Sequence, residues 1–178
     1  MKRRKDQEVV ISDTPMDRTG IQDRVKESIS SKNLHPLGSN CKVILLSPDD
    51  IPYIWDKVEA HLESMMPHSE GELSADDFLN FLSEGEMQLW AAVDGDELLA
   101  SMVTQIVPYP QKRVLRIISI AGEGMEDWIE NLPIIENWAL SQNCTSLECW
   151  GRKGWLKVLK DWKCSYHILT KDLKGRMH

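Results

Sequence analysis

Residues 113–132, RVLRIISIAGEGMEDWIENL, decide the fold. Arg113–Ile120 is an apolar run dominated by Val, Leu and Ile, which predicts a strand. Ala121-Gly122-Glu123-Gly124 ends it as a turn, and helical periodicity follows from Met125 to Ser141. Ser146–Trp150 then reads as another strand, so the stretch opens a β-α-β crossover.

Upstream, Cys41–Leu46 reads as a strand. Ser47 or Asp49 caps a helix whose stripe is Ile51, Ile54, Trp55, Val58 and Leu62, running to about Met66. Pro67–Gly71 is a loop. Ser74 caps a second helix carrying Phe78, Leu79 and Leu82, which ends near Gly85. Met87–Val93 and Leu98–Val107 flank an Asp94-Gly95 hairpin turn, and Pro108–Pro110 breaks the chain before Arg113. Downstream, Lys153–Trp162 reads as a helix and Ser165–Lys171 as a closing strand. The order β-α-α-β-β-β-α-β-α-β predicts an α/β or α+β mixed sheet over residues 41–178.

Residues 1–40 differ from this pattern. They hold few large apolar side chains, and Ile21, Val25 and Ile29 give only one thin stripe on a polar helix. An extended or flexible N-terminal arm is expected, ordering on a partner through that stripe and through Lys2, Arg3 and Arg4. Lys2–Lys5 are followed by Asp6, Gln7 and Glu8 rather than an apolar stretch, so no secretory signal is expected. No run of apolar residues is long enough for a helical membrane span.

The net charge of -7 averages over unlike blocks. Residues 43–111 hold fourteen acidic residues and one basic residue, Lys57, whereas residues 150–178 hold eight basic and two acidic. Such blocks suit contacts between copies or with a charged protein, and the acidic middle opposes nucleic acid. Arg152, Lys153, Lys157, Lys160 and Lys163 form a basic face that is either solvated, bound to an acidic partner, or in contact with DNA. Cys41, Cys144, Cys149 and Cys164 form no CxxC pair, so no metal is expected, and they read as small apolar fillers. All seven Trp fall after residue 40 and read as packing residues.

The element order over residues 41–173 resembles the acyl-CoA N-acyltransferase (GNAT) fold. In that family, backbone amides of a glycine-rich turn hold the CoA pyrophosphate at a helix N-terminus. The matching stretch here is Ile118–Asp127, with Gly122 and Gly124 at glycine positions and Ser119 where the family has Gln or Arg. Glu123, Glu126 and Asp127 stand where a diphosphate would sit, and each like-charge contact there costs about 4 kcal/mol at ~4 Å before screening. No Asn follows the Ser146–Trp150 strand and no Tyr lies in the helix after it. "LRIISIAGEGMEDWIENL" paired with "CWGRKGWLKVLKDW" is similar to GNAT-like proteins of tailed bacteriophages.

The phage resemblance implies a virion component, and the missing Gln or Arg, the acidic turn and the arm point to a non-catalytic structural or interaction role in its internal or head-tail region, with no cofactor expected. Its partners would be other virion proteins such as portal, adaptor or core proteins, in multiple copies. Its location would be the virion, and the host cytoplasm during assembly. The alternatives are an active N-acetyltransferase using acetyl-CoA and a nucleic-acid-binding adaptor. For an active enzyme the candidates are Glu148 as base, Tyr166 as acid, and Gly122, Gly124 and Met125 as cofactor contacts. His61, His68, Glu72, Glu84 and Glu86 are weaker bases, with His61 expected on the solvent side.

Overall fold

The computed structural model describes residues 41–69, 71–94, 97–122, 129–151, 153–166 and 168–171. The expected arm, 1–40, lies outside the described residues, as do Glu123–Trp128 and Arg152.

Among the described residues five strands form one sheet in sequence order: β1 (Lys42–Leu46), β2 (Gln88–Asp94), β3 (Glu97–Tyr109), β4 (Lys112–Gly122) and β5 (Ser146–Cys149). Neighbours are antiparallel except β4 and β5, which run parallel. The parallel pair requires a crossover, and helix α3 (Leu132–Ser141) supplies it. Helices α1 (Ile51–Met65) and α2 (Ala75–Ser83) lie between β1 and β2 in the chain.

Each helix has a local reason to start where it does. Ser47 Oγ accepts from the Asp49 amide at 3.2 Å and opens the short 3-10 turn Pro48–Asp50 that leads into α1. Ser74 and Asp77 form a capping box at α2: the Asp77 carboxylate accepts from the Ser74 amide at 2.8 Å, and the Asp77 amide donates to Ser74 Oγ. The hydroxyl and amide of Ser74 hold the Asp77 carboxyl below its usual range. Helix α3 ends at Gln142, and Asn143 takes a left-handed φ of 59°, a conformation asparagine tolerates.

The core has two layers, one on each face of the sheet. On one face Ile51, Trp55, Val58 and Leu62 of α1, with Phe78 and Leu82 of α2, pack on Leu89, Ala91 and Val103. On the other face Leu132, Ile135 and Trp138 of α3 pack on Trp90, Met102, Leu115 and Ile117. Burying each large aliphatic side chain contributes about 1.5–3 kcal/mol. The Trp138 ring meets Trp90 edge-on at 5.2 Å. Trp90 Nε1 donates to Thr104 Oγ1 at 3.0 Å, which satisfies the indole inside the layer.

Three expectations need correction. Strand β3 runs through Pro108 to Tyr109 instead of breaking there. β2 stops opposite Thr104, so the far edge of β3 is unpaired at Pro108 and tolerates a missing amide hydrogen. The predicted helix Lys153–Trp162 is only a 3-10 turn, Lys153–Lys157, because Gly151 and Gly154 weaken its start and its stripe is short. Ser165–Lys171 forms no strand among the described residues; Tyr166, Ile168 and Leu169 point into solvent. The tryptophans also divide: Trp55, Trp90 and Trp138 are buried, whereas Trp150 is 62% exposed.

Candidate functional site

β4 and β5 pair only from Val114–Ile117 to Ser146–Cys149. Beyond that, β4 continues through Ile118–Gly122 with β3 on one side and no β5 partner on the other. The parallel ladder therefore ends after a short shared stretch, because β5 stops at Cys149, and this gap in the ladder is bordered by residues 118–122 and 149–151. The register against β3 jumps from Thr104↔Ile117 to Val103↔Ser119, so Ile118 is an extra residue in β4. That bulge sits where the pairing with β5 ends, and it turns Ser119 to the same face as its opposite number, Val103, towards α1 and α2.

Gly122 closes β4 at a φ of 121°. A side chain there would run into the Leu99 carbonyl and the Ala100 backbone, so glycine is required on both conformational and steric grounds. Gly124 and Met125, the other expected cofactor contacts, lie outside the described residues.

Two buried serines line the face that α1 covers. Ser101 is 2% exposed, and its Oγ shares a hydrogen bond of 3.2 Å with His61 Nδ1. His61 is half-buried against the sheet rather than on the solvent side. Ser119 is 5% exposed, and its Oγ has no hydrogen-bond partner among the described residues. A buried unpaired hydroxyl costs about 1–3 kcal/mol, so this position is costly unless something else reaches it. The shallow depression beside α1 lined by Lys57, His61, Asp94 and Glu97 lies at the β2–β3 hairpin end.

Glu148 sits directly opposite Arg116 across the parallel ladder. Its Oε1 accepts from Arg116 Nε at 2.9 Å and from Trp150 Nε1 at 2.9 Å, and Arg116 Nη2 stands 2.9 Å from the same oxygen. Its Oε2 accepts a longer bond from Tyr109 Oη, at 3.4 Å. Arg116 Nη2 also donates to Tyr109 Oη at 2.7 Å, and the guanidinium stacks 4.1 Å from the Trp150 ring. Both oxygens of the candidate base are thus held inside a four-residue network.

Tyr166, the candidate acid, is 89% exposed and is not brought to the gap. Lys157 and Lys160 are exposed; Arg152, like Lys2, Arg3, Arg4, Ile21, Val25 and Ile29 of the arm, lies outside the described residues, and the Lys153 side chain is not described. Burial pushes the Cys149 thiol up. No group of metal ligands occurs among the described residues.

Sequence reading missed Arg116, Tyr109 and Ser101. Arg116 did carry a signal, as the lone charge between Leu115 and Ile117, but naming its partner needs the β4–β5 register.

No protein-family model matches the chain, and no curated protein sequence does. Solved structures do match. An aminoglycoside N-acetyltransferase in complex with CoA superposes with a TM-score of 0.59 at 11% identity, over 80% of this chain and 100% of that one. The chain has the GNAT fold. A predicted acetyltransferase with acetyl-CoA from Clostridium acetobutylicum gives 0.57 at 15% identity, covering 78% and 99%. A ribosomal-protein-alanine N-acetyltransferase from Brucella melitensis biovar Abortus 2308 gives 0.56 at 11%, covering 76% and 99%. At such identities the GNAT likeness concerns fold alone.

The fit of this GNAT sheet to acetyl-CoA is incomplete. Ser119 offers a hydroxyl with no partner among the described residues, whereas the space beside Gly122 is already filled by the β3 backbone of Leu99 and Ala100. The turn that would meet the diphosphate, 123–127, lies outside the described residues, and in sequence it brings the three carboxylates of Glu123, Glu126 and Asp127 rather than a cation.

Proposed function

We propose that this chain is a GNAT-fold domain that has given up acetyl transfer and serves as a protein-interaction module. The observation that supports the reading is the state of Glu148. A general base must reach the proton it removes. Here the carboxylate is fixed by Arg116, Trp150 and Tyr109, and releasing it would strand the Arg116 charge. The exposed Trp150, Ile168 and Leu169 and the surrounding lysines fit a surface made for a partner. The extension to a tailed-phage virion component, with an arm that docks on neighbouring subunits, rests on the two sequence stretches quoted above. The test is release of free thiol from acetyl-CoA in the presence of a panel of primary amines. The proposal expects the uncatalysed rate; turnover that depends on Glu148 would overturn it.

One observation favours a second reading, an acetyl-CoA-dependent N-acetyltransferase. Ser119 Oγ is buried, with no partner among the described residues, on the strand that borders the gap. Under this reading a polar atom of bound CoA supplies its hydrogen bond, and Ser119→Ala weakens CoA binding several-fold.

A further inference from the structure

We propose that the C-terminal surface of one copy docks on the acidic helical layer of a second copy. The inference deepens the interaction-module reading by naming the partner. Its test is read as mass, not as CoA turnover, so either reading can fail alone.

The acidic side is the α1–α2 layer. Asp56, Glu63, Asp76, Asp77, Glu84 and Glu86 are all exposed there, and Lys57 is the one cation within residues 43–111. Tyr53, on the same layer, is 63% exposed and offers an aromatic anchor amid the carboxylates. The opposite surface follows β5. Leu156, Val158, Ile168 and Leu169 are exposed, interleaved with the exposed Lys157, Lys160, Lys163 and Lys171. Large apolar side chains ringed by cations are costly in water and suit an acidic surface with an apolar centre.

Position decides that the contact is between copies. Trp155, Leu159 and Trp162 pack with the α3 layer, so the segment that carries Leu156 and Val158 is anchored on that face of the sheet. Helices α1 and α2 cover the other face. The sheet separates the two surfaces, and this part of the segment cannot fold over onto its own acidic layer. The pairing joins two different patches, so it is head-to-tail and builds a ring or a filament rather than a two-fold dimer.

Sedimentation of the full chain tests this. At about 50 mM salt the mass is expected to rise with concentration above 20.4 kDa, and to fall back at about 0.5 M salt as charges are screened. The double variant Lys157→Glu/Lys160→Glu is expected to weaken association about tenfold or more. Asp56→Lys/Glu63→Lys is expected to do the same, and mixing the two variants restores association because each keeps one native surface. Tyr53→Ala, an exposed site that leaves the core intact, is expected to weaken it as well. A single-chain mass at every concentration in low salt would overturn the proposal. So would association that survives the reversals in variants whose circular dichroism melts match the parent.

Discussion

Replacing Glu148 separates an anchoring carboxylate from a catalytic one. Arg116 and Glu148 are 14% and 23% exposed, so their pair lies between the surface and the interior. Exposed ion pairs are worth about 0–1 kcal/mol, and removing one partner of a buried pair costs about 3–5 kcal/mol. Glu148→Ala removes acceptors for Arg116 Nε, Arg116 Nη2 and Trp150 Nε1. The Trp150 bond is discounted, because that ring is largely exposed and water replaces the partner. The expected loss is about 2–3 kcal/mol for Glu148→Ala and about 1–2 kcal/mol for Glu148→Gln, which keeps an acceptor oxygen but not the charge. Urea unfolding at constant slope reads this directly. A double-mutant cycle with Arg116→Met assigns the coupling to the pair, with about 1–2 kcal/mol expected. A change below about 0.5 kcal/mol in both Glu148 variants would refute the reasoning, since the carboxylate would then bear nothing.

Other consequences are checked as simply. Trp90→Phe keeps the aromatic packing on Trp138 but loses the bond to Thr104, at an expected cost of about 1–2 kcal/mol in chemical denaturation. Gly122→Ala forces a side chain into the backbone of Leu99 and Ala100, and is expected to lower the melting temperature more than Gly71→Ala, whose site is open and whose φ is also positive. Burial raises the Cys149 thiol, so its thiolate is scarce at neutral pH; alkylation mapped by mass is expected to reach the exposed Cys164 first and Cys149 only at higher pH or on unfolding. The carboxyl of Asp77 is held low by Ser74, so its cap stabilises α2 above the usual carboxylate range and is lost as pH falls through the lowered value. Asp77→Asn should flatten that acid limb in a pH series of melts.

Much of the fold was legible because periodicity and caps agree with the tertiary result. The Ile51-Trp55-Val58-Leu62 stripe and the Phe78-Leu82 pair after the Ser74 cap specify helices whose buried residues lie on the expected face, and the apolar run around Leu115 becomes β4. The errors fall where neighbours decide. Pro108 stays in β3 because β2 ends early, which local propensity does not reveal. The Lys153–Trp162 segment does bury Leu159 on the α3 layer, but Gly151 and Gly154 weaken its helical start, and the last strand fails because Tyr166, Ile168 and Leu169 find nothing to bury against among the described residues. The site was less legible than the fold. Alternation puts Glu148 on the face opposite Leu147 and Cys149, but only the register brings Arg116 across from it and Trp150 over the guanidinium. The Ile118 bulge that turns Ser119 inward leaves no mark in composition or spacing.

Calorimetric titration of the full chain with acetyl-CoA tests the central claim most directly. An interaction module that has lost its acyl-donor site predicts no saturable heat at ligand concentrations approaching the millimolar range. A stoichiometric isotherm with a micromolar dissociation constant, weakened by Ser119→Ala, would contradict that claim and favour the acetyltransferase reading.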